Sequence, residues 1–349
     1  MTDLLQLAAE LVGVPSESLD EAALADHVEA ELRAVPWLTV ERVDHNVVAR
    51  TDLGRSQRVV IGGHLDTVPA NDNLEPRIVG ERLYGLGACD MKGSLAVMLE
   101  LARTVEAPAV DATYVFYAAE EIAAEHNGLR QLFEERPELL ECDLALLGEP
   151  TSADIEAGCQ GTLRVKVTFE GARAHTARPW KGRNAIHRLG ELLVRLGEYE
   201  GRRPVIAGCE YREALQAVFV DGGVAGNVVP DVATVTINHR FAPDRTSEEA
   251  IEHVRQFVGE CDGFELTDLS PAAAPATEHP LVQALVQRRG LEVRAKLGWT
   301  DVARFSAAGV PAANFGAGDA SIAHTKDEFV ERAELDAVYA SLKDLLENS

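Results

Sequence analysis

A run of β-forming residues at 58–61, followed by Gly62-Gly63-His64-Leu65-Asp66, constrains the fold of this chain most strongly. Similar strand-like runs occur near 46–51, 112–118 and 143–147. A helical pattern near 92–105 lies between two of them, and strands that alternate with helices predict an α/β layer with an at least partly parallel sheet. Since ligands bind beyond the carboxyl ends of parallel strands, the side chains that follow these runs are candidates for a functional site.

The middle of the chain has a different pattern. Residues 161–169 alternate apolar and polar side chains, as expected of a sheet with one solvated face. Helical and strand patterns then follow in the order β-α-β-β-α-β, which is typical of a ferredoxin-like domain. A Pro- and Ala-rich stretch at 270–276 indicates a crossing back into the first domain. We therefore predict a catalytic domain at 1–160 and 273–349, with an inserted domain at 161–272.

The overall composition narrows the class of partner. The formal net charge of −24 argues against nucleic acid or an anionic membrane, since like charges repel. Five widely spaced cysteines without a C-x-x-C pair suit reduced thiols. The N-terminus lacks the basic start and apolar block of a signal peptide, and no apolar run is long enough to span a bilayer. We expect a cytoplasmic enzyme that acts on a small molecule.

Imidazoles and carboxylates cluster at the strand ends. The candidates are His64, Asp66, Asp90, Glu120, Glu121, Glu149 and His324. Each one alone has an ordinary structural interpretation, such as a turn, a solvated face or a satisfied histidine. Together they predict a site for two divalent metal ions, Zn in preference to Co or Mn, in which a free carboxylate serves as general base. Asp66 is expected to accept a hydrogen bond from the second ring nitrogen of His64.

These motifs resemble the dinuclear-zinc aminoacylase, carboxypeptidase and deacetylase family over nearly the whole chain. The matching phrases are His-x-Asp at 64–66, Asp90 before Met-Lys-Gly, Glu120-Glu121, Gly-Glu-Pro at 148–150 and the late His324. The resemblance implies that His64 and Glu149 bind one metal, that Glu121 and His324 bind the other, and that Asp90 bridges them. It also implies that Glu120 is the general base and that the Asp90–Met91 peptide is cis. The expected catalytic fold is that of the zinc exopeptidases.

The same resemblance extends to the inserted domain, which would serve as a lid and a dimerisation domain. His175, within Ala174-His175-Thr176, would reach the partner subunit's site in a homodimer and stabilise the tetrahedral oxyanion. Asn227, Arg240, Arg178 and Gly298 would contact the polar parts of the substrate, with an Arg fork suited to a carboxylate. Ordinary hairpin and surface interpretations of Asn227 and Arg240 compete with these roles.

The expected reaction is hydrolysis of an N-acyl amino acid. The phrases at 148–151, 156–161 and 297–305 favour one N-succinyl-amino-acid hydrolase of the family, although Trp299 stands where other members carry a small residue. Two alternatives stay open at this point. One is acetylornithine deacetylation or dipeptide hydrolysis by the same machinery, and the other is a catalytically dead, metal-stabilised binding protein.

Overall fold

The computed structural model describes residues 2–349. Its α-helices are α1 (Leu4–Val12), α2 (Ala22–Arg33), α3 (Gly93–Thr104), α4 (Gly128–Glu135), α5 (Ala185–Gly197), α6 (Ser247–Val258), α7 (Pro280–Arg289), α8 (Val302–Ala307) and α9 (Arg332–Asn348). Its first strands are β1 (Thr39–Val43), β2 (Asn46–Arg50), β3 (Arg58–His64), β4 (Arg77–Val79), β5 (Arg82–Tyr84), β6 (Asp111–Tyr117), β7 (Leu144–Leu147) and β8 (Ile155–Ala157). The later strands are β9 (Gly161–Glu170), β10 (Val205–Ile206), β11 (Cys209–Glu210), β12 (Ala214–Gly222), β13 (Val232–Phe241), β14 (Gly263–Ser270), β15 (Val293–Ala295), β16 (Ala312–Asn314) and β17 (Phe329–Glu331).

The chain divides into two compact units. The first comprises the residues up to Ala157 together with Pro275–Arg294 and Arg304–Ser349, and the second comprises Gly158–Ala274 and Ala295–Ala303. The predicted catalytic domain included all of 273–349. In the structure the short stretch Ala295–Ala303 groups instead with the second unit.

The first unit is built on an eight-stranded mixed sheet in the order β1-β2-β6-β3-β7-β16-β8-β15. The four neighbouring strands β6, β3, β7 and β16 run parallel, so their carboxyl ends lie at one edge of the sheet. β6 is buried along its whole length, and α3 is buried from Gly93 to Ala102. These buried apolar elements fix the parallel edge, which confirms the predicted α/β class.

A smaller sheet, β17-β5-β4, also belongs to the first unit. β17 pairs antiparallel with β5, and Phe329 lies opposite Tyr84. The connection from β5 to α3 passes through a kinked turn at 88–92, which contains the cis Asp90–Met91 peptide. The cis peptide implied by the family resemblance is therefore confirmed.

The second unit contains the antiparallel sheet β12-β13-β9-β14, with α5 and α6 packed on it. In chain order these elements read β9-α5-β12-β13-α6-β14, which is the ferredoxin-like arrangement. The core consists of alternate strand residues such as Val165 and Val235 with the apolar faces of the two helices. β12 pairs only with β13, so it forms an edge of this sheet.

The start of α2 differs from its local sequence pattern. Ser18 and Glu21 have the spacing of a capping box, but the N-cap residue is Glu21 itself and no side chain caps the helix. Ser18 Oγ instead donates to Asp66, and Glu21 Oε1 accepts N–H groups from Leu19 and Ala119. These polar groups serve the carboxyl edge of the sheet rather than the helix end. Among residues 2–349, no helix combines the length and apolarity needed to cross a bilayer.

Candidate metal centre

The carboxyl ends of three of the four parallel strands lead into predicted site residues. β3 ends at His64, β6 leads into Glu120 and Glu121, and β7 leads into Glu149. Backbone pairing continues past the strand ends, since Leu65 N–H donates to Tyr117 O (2.7 Å) and Gly148 N–H donates to Gly62 O (2.8 Å). These loops are therefore anchored to the sheet where the functional side chains begin.

Asp90 lies between the two histidines. Its Oδ1 is 3.1 Å from His64 Nε2, and its Oδ2 is 3.4 Å from His324 Nε2. His324 Nε2 is also 2.8 Å from Glu121 Oε1. One carboxylate that presents a different oxygen to each imidazole has the arrangement required of a bridging ligand.

Two groups of potential ligand atoms meet here, and within each group the atoms lie within 4.8 Å of one another. One consists of His64, Glu120 and Glu121, and the other of Asp90, Glu121 and His324. Glu149 is buried, with 6% exposure, at the end of β7 beside β3. It belongs to neither group in this structure.

The electrostatics of the cluster favour cationic partners. Burial opposes protonation of His64, yet its hydrogen bond to Asp90 and the charges of Asp66 and Asp90 hold the pKa of His64 well above its usual value. Hydrogen bonds to Asp90 and Glu121 raise the pKa of His324 to about 10. Burial alone would raise the pKa of Asp90, but hydrogen bonds from His324 and His64 hold it below its usual range. A site that forces both imidazoles toward the cationic form has carboxylate charge suited to divalent cations.

The sequence determines the space beneath His64. A Cβ on Gly63 would lie 2.4 Å from Met91 Cε and 2.7 Å from Leu95 Cδ2, so glycine lets Met91 pack under the end of β3. The backbone N–H of His64 in turn lies 3.3 Å from Met91 Sδ. The turn that carries Asp90 thus packs directly against the strand that carries His64.

Comparison with known proteins identifies the family of this chain. The family model for peptidase family M20/M25/M40 matches residues 60–348. The chain belongs to this family. A Mycobacterium tuberculosis (strain H37Rv) protein provisionally named succinyl-diaminopimelate desuccinylase DapE is 50% identical over 343 residues, covering 98% of this chain and 97% of that protein. The Corynebacterium glutamicum succinyl-diaminopimelate desuccinylase is 45% identical over 355 residues, covering 99% and 96%.

Solved structures share this fold at low sequence identity. A tripeptidase from Staphylococcus aureus superposes with a TM-score of 0.79 at 20% identity, covering 99% of this chain and 97% of that chain. A dinuclear metal-binding M20 peptidase from Bacillus subtilis gives 0.72 at 16% identity, covering 98% and 96%. As an M20 protein with the clustered donors described above, the chain is a metallo-hydrolase of this family.

Asp66 differs from its predicted role. The ring Nδ1 of His64 lies 3.0 Å from the backbone carbonyl oxygen of Asp66, and 3.6 Å from its carboxylate. The carboxylate is fully buried and instead accepts the backbone N–H groups of Glu120 (2.9 Å) and Glu121 (3.0 Å). These two hydrogen bonds orient the loop of the predicted base, while the backbone carbonyl of the same residue orients the imidazole.

The predicted substrate residues all lie in the second unit. His175 is exposed in a turn, where its Nδ1 accepts the N–H of Ala177 (3.0 Å) and its carbonyl oxygen accepts the N–H of Arg178. In the neutral ring this places the proton on Nε2. Asn227 is exposed beside the same turn, since its carbonyl oxygen accepts Thr176 N–H at 3.1 Å. The structure thus brings His175, Arg178 and Asn227 together.

Arg240 and Gly298 occupy other parts of the second unit. Arg240 lies half-buried on β13, where burial and the nearby charge of Arg164 lower its pKa. Gly298 is exposed within 295–303. The neighbouring Trp299 donates its indole N–H to Pro271 O (3.1 Å), which fixes the ring of the residue that departs from the family pattern.

Sequence reasoning missed Glu328. This side chain is 1% exposed, and its Oε1 accepts the backbone N–H groups of Cys89 (3.0 Å) and Asp90 (3.2 Å). Burial raises its pKa. The only sequence signal was its place four residues after His324, which does not by itself distinguish it from the acidic residues around it.

Proposed function

We propose that this M20 hydrolase cleaves N-succinyl-LL-2,6-diaminopimelate with water to succinate and LL-2,6-diaminopimelate, a step of diaminopimelate and lysine biosynthesis. The observation that carries the proposal is the identity of 45–50% over nearly full length to proteins named for this reaction. The clustered histidines and carboxylates at one sheet edge supply the matching chemistry.

Two divalent ions, zinc in preference to cobalt or manganese, would be held by the cluster. His64 and Glu149 would bind one, Glu121 and His324 the other, and Asp90 both. The donor set fits, since mixed imidazole and carboxylate ligands suit zinc, and Asp90 already directs one oxygen toward each histidine. Once bound, the ions would polarise the amide carbonyl and lower the pKa of water.

Glu120 would carry the proton through the reaction. Its carboxylate accepts a proton from the attacking water as the water oxygen bonds to the amide carbon. The same proton passes to the leaving nitrogen as the carbon–nitrogen bond breaks, which yields a carboxylic acid and an amine. The acid then gives its remaining proton to the amine, so the products leave as a carboxylate and an ammonium group. Asp66 fixes the backbone N–H of Glu120 at 2.9 Å and so limits the positions that the base can reach.

The second unit would supply substrate recognition. With Nδ1 already accepting a hydrogen bond, Nε2 of the exposed His175 is suited to donate to an oxyanion, and Arg178 and Asn227 share its turn. Among residues 2–349 no side chain hydrogen-bonds to the Arg240 guanidinium, which leaves its fork available for a substrate carboxylate. We assign Gly298 to the same binding surface, next to Trp299, which would shape the acyl pocket.

A homodimer would complete each site through His175 of the second copy. The edge strand β12 supports this proposal, because its side chains are exposed on both faces and include Val218 (44%), Phe219 (72%) and Val220 (56%). A long apolar edge strand invites pairing unless another chain covers it. We place the dimer in the cytoplasm, where the five free cysteines would stay reduced. Its net charge of −24 disfavours nucleic acid and anionic membranes as partners.

The substrate is tested by succinate release from the purified protein at defined zinc loading. N-acetylornithine and a dipeptide serve as comparators, and faster turnover of either one would replace the proposed substrate. A protein that binds less than one equivalent of zinc and hydrolyses none of the three would instead be a binding protein.

The base is tested with Glu120→Ala. We expect turnover to fall by about 10²- to 10⁴-fold while zinc content is retained. Glu125→Ala, at an exposed glutamate of the same segment, is the matched control and should keep normal turnover. Near-normal activity of Glu120→Ala would remove Glu120 from the mechanism.

The dimer is tested by mixing inactive Glu120→Ala and His175→Ala subunits under conditions in which subunits exchange. Mixed dimers should regain part of the activity, because one site in each combines an intact base with an intact His175. No recovery despite verified exchange would contradict a role in trans.

A further inference from the structure

The buried carboxylate of Glu328 connects two of the loops that carry ligand residues. Its Oε1 accepts consecutive N–H groups from Cys89 (3.0 Å) and Asp90 (3.2 Å). The carbonyl oxygen of Glu328 also accepts the N–H of Gly85 at 3.2 Å. One residue therefore binds the 85–90 loop at its start and at Asp90.

We propose that Glu328 is a positioning residue that holds the Asp90 carboxylate in the orientation needed to bridge two metals. The inference rests on the proposed metal site and assigns Glu328 no contact with substrate. It acts through the backbone of Asp90, whose two carboxylate oxygens face His64 and His324.

The fold keeps Glu328 in place. It directly precedes β17, whose Phe329 pairs with Tyr84 of β5, and Val330 of the same strand is fully buried. Because β5 leads into the Asp90 loop, the pairing of β17 with β5 fixes both ends of the Glu328 contact. A shift of Asp90 would therefore have to break two hydrogen bonds from backbone N–H groups to the Glu328 carboxylate, because that carboxylate cannot move with it.

The same residue limits the His324 loop. Glu328 lies four residues after His324, and its N–H donates to Thr325 O at 3.3 Å. His324 Nε2 reaches both Asp90 and Glu121 from this loop. Glu328 therefore fixes the position of Asp90 relative to the loop that carries His324.

Partners that orient metal ligands typically contribute about 10- to 100-fold in metal affinity or activity. We expect Glu328→Ala to weaken zinc binding by a factor in this range, measured by competition with a chromogenic chelator on the full-length protein. The absorption spectrum of the cobalt-loaded variant should also differ from wild type, since the spectrum reports ligand geometry.

Two conservative variants separate geometry from charge. Glu328→Gln keeps an acceptor oxygen at the same distance, so zinc affinity should stay within about threefold of wild type, well short of the cost of losing an orienting partner. Glu328→Asp keeps the charge but is one methylene too short to reach both N–H groups, so it should lose affinity as Glu328→Ala does. These two variants keep the test decisive if the alanine variant fails to fold.

Asp111→Ala is the matched control. Asp111 is likewise a buried carboxylate, and it accepts two backbone N–H groups, those of Leu53 and Arg55, both at 2.8 Å. It stands at the first residue of β6, at the opposite end from Glu120. Its loss should lower thermal stability and leave zinc affinity unchanged.

Three results would overturn the proposal. They are unchanged zinc affinity in Glu328→Ala and Glu328→Asp, equal loss of affinity in Asp111→Ala, and retention by Glu328→Asp with loss by Glu328→Gln. Failure of the wild-type protein to bind zinc would instead refute the proposed metal site itself, before any variant is compared.

Discussion

Replacing Asp66 with asparagine should separate the positioning of the base from the positioning of His64. The carboxylate accepts Glu120 N–H at one oxygen, and Glu121 N–H and Ser18 Oγ–H at the other, at 2.7–3.0 Å. Asparagine offers only one acceptor oxygen, so its NH₂ group must face at least one of these donors. The contact from His64 Nδ1 to the backbone carbonyl oxygen of residue 66, at 3.0 Å, survives the substitution.

The size of the effect follows from these contacts. A hydrogen bond to a charged group contributes about 1.5–3 kcal/mol, and a buried donor without an acceptor costs about 1–3 kcal/mol. Since the two contributions overlap, we expect Asp66→Asn to destabilise the 119–121 turn by about 2–4 kcal/mol. If the whole of this free energy is lost from the transition state, kcat falls by about 30- to 1,000-fold, which is the largest decrease that we expect.

The assay compares kcat at saturating substrate with zinc content measured on the same samples. Asp66→Asn should lose most of its kcat and keep zinc at the His64 position. Ser18→Ala is the control, because it removes one donor and leaves both backbone N–H hydrogen bonds to the Asp66 carboxylate intact. This variant should lose about 1 kcal/mol of stability. Loss of one zinc equivalent with unchanged activity per bound zinc pair would refute this reasoning, because Asp66 would then act through the imidazole.

Two further predictions concern stability. Burial lowers the pKa of His239 to about 4 from 6.5, so between these values the unfolded chain binds a proton that the folded chain does not. Stability should therefore fall by about 2 kcal/mol between pH 7 and pH 5. In urea titrations, His239→Asn, whose amide can still donate to Ala214 O, should not show this loss of stability between pH 7 and pH 5. His187→Asn, at an exposed histidine, should show the same loss as wild type. An equal pH effect in all three proteins would contradict the assignment of the loss to His239. Separately, a Cβ on Gly316 would meet Gly148 O at 2.2 Å and Glu149 O at 2.5 Å, so Gly316→Ala should lower both the unfolding midpoint and zinc content. Gly190→Ala, in α5 with nothing within 4 Å, should gain about 0.5–1 kcal/mol, and equal unfolding midpoints for the two variants would count against the clash.

The sequence predicted most accurately those features of the fold that follow from the periodicity of apolar residues. Alternating strands and helices, and the rule that parallel strands present ligands at their carboxyl ends, placed His64 and the Glu120–Glu121 pair at one edge of a sheet. The ferredoxin-like order of the second unit followed from pattern alone, and its sheet has that topology.

The polar contacts behind the ligands could not be predicted in this way. Ser18 has the spacing of a capping box but donates to Asp66, 48 residues away in sequence. Glu328 reaches Asp90 across 238 residues. Such contacts depend on which loops the strand pairing brings together, and local sequence spacing carries no record of that.

The charge of the site explains why recognition of an anionic substrate would need arginines from outside it. The carboxylates of Asp66, Asp90, Glu120 and Glu121 lie at the proposed metal site, and the proposed ligand Glu149 would add a fifth. Two divalent cations would not fully offset them, so the loaded site keeps no surplus positive charge to attract the carboxylates of a succinylated diamino acid. A chain with a net charge of −24 adds further repulsion at long range. Selective binding of that substrate would therefore depend on localised guanidinium groups, and an Arg240→Lys substitution, which keeps the charge but loses the bidentate fork, should raise KM far more than it lowers kcat.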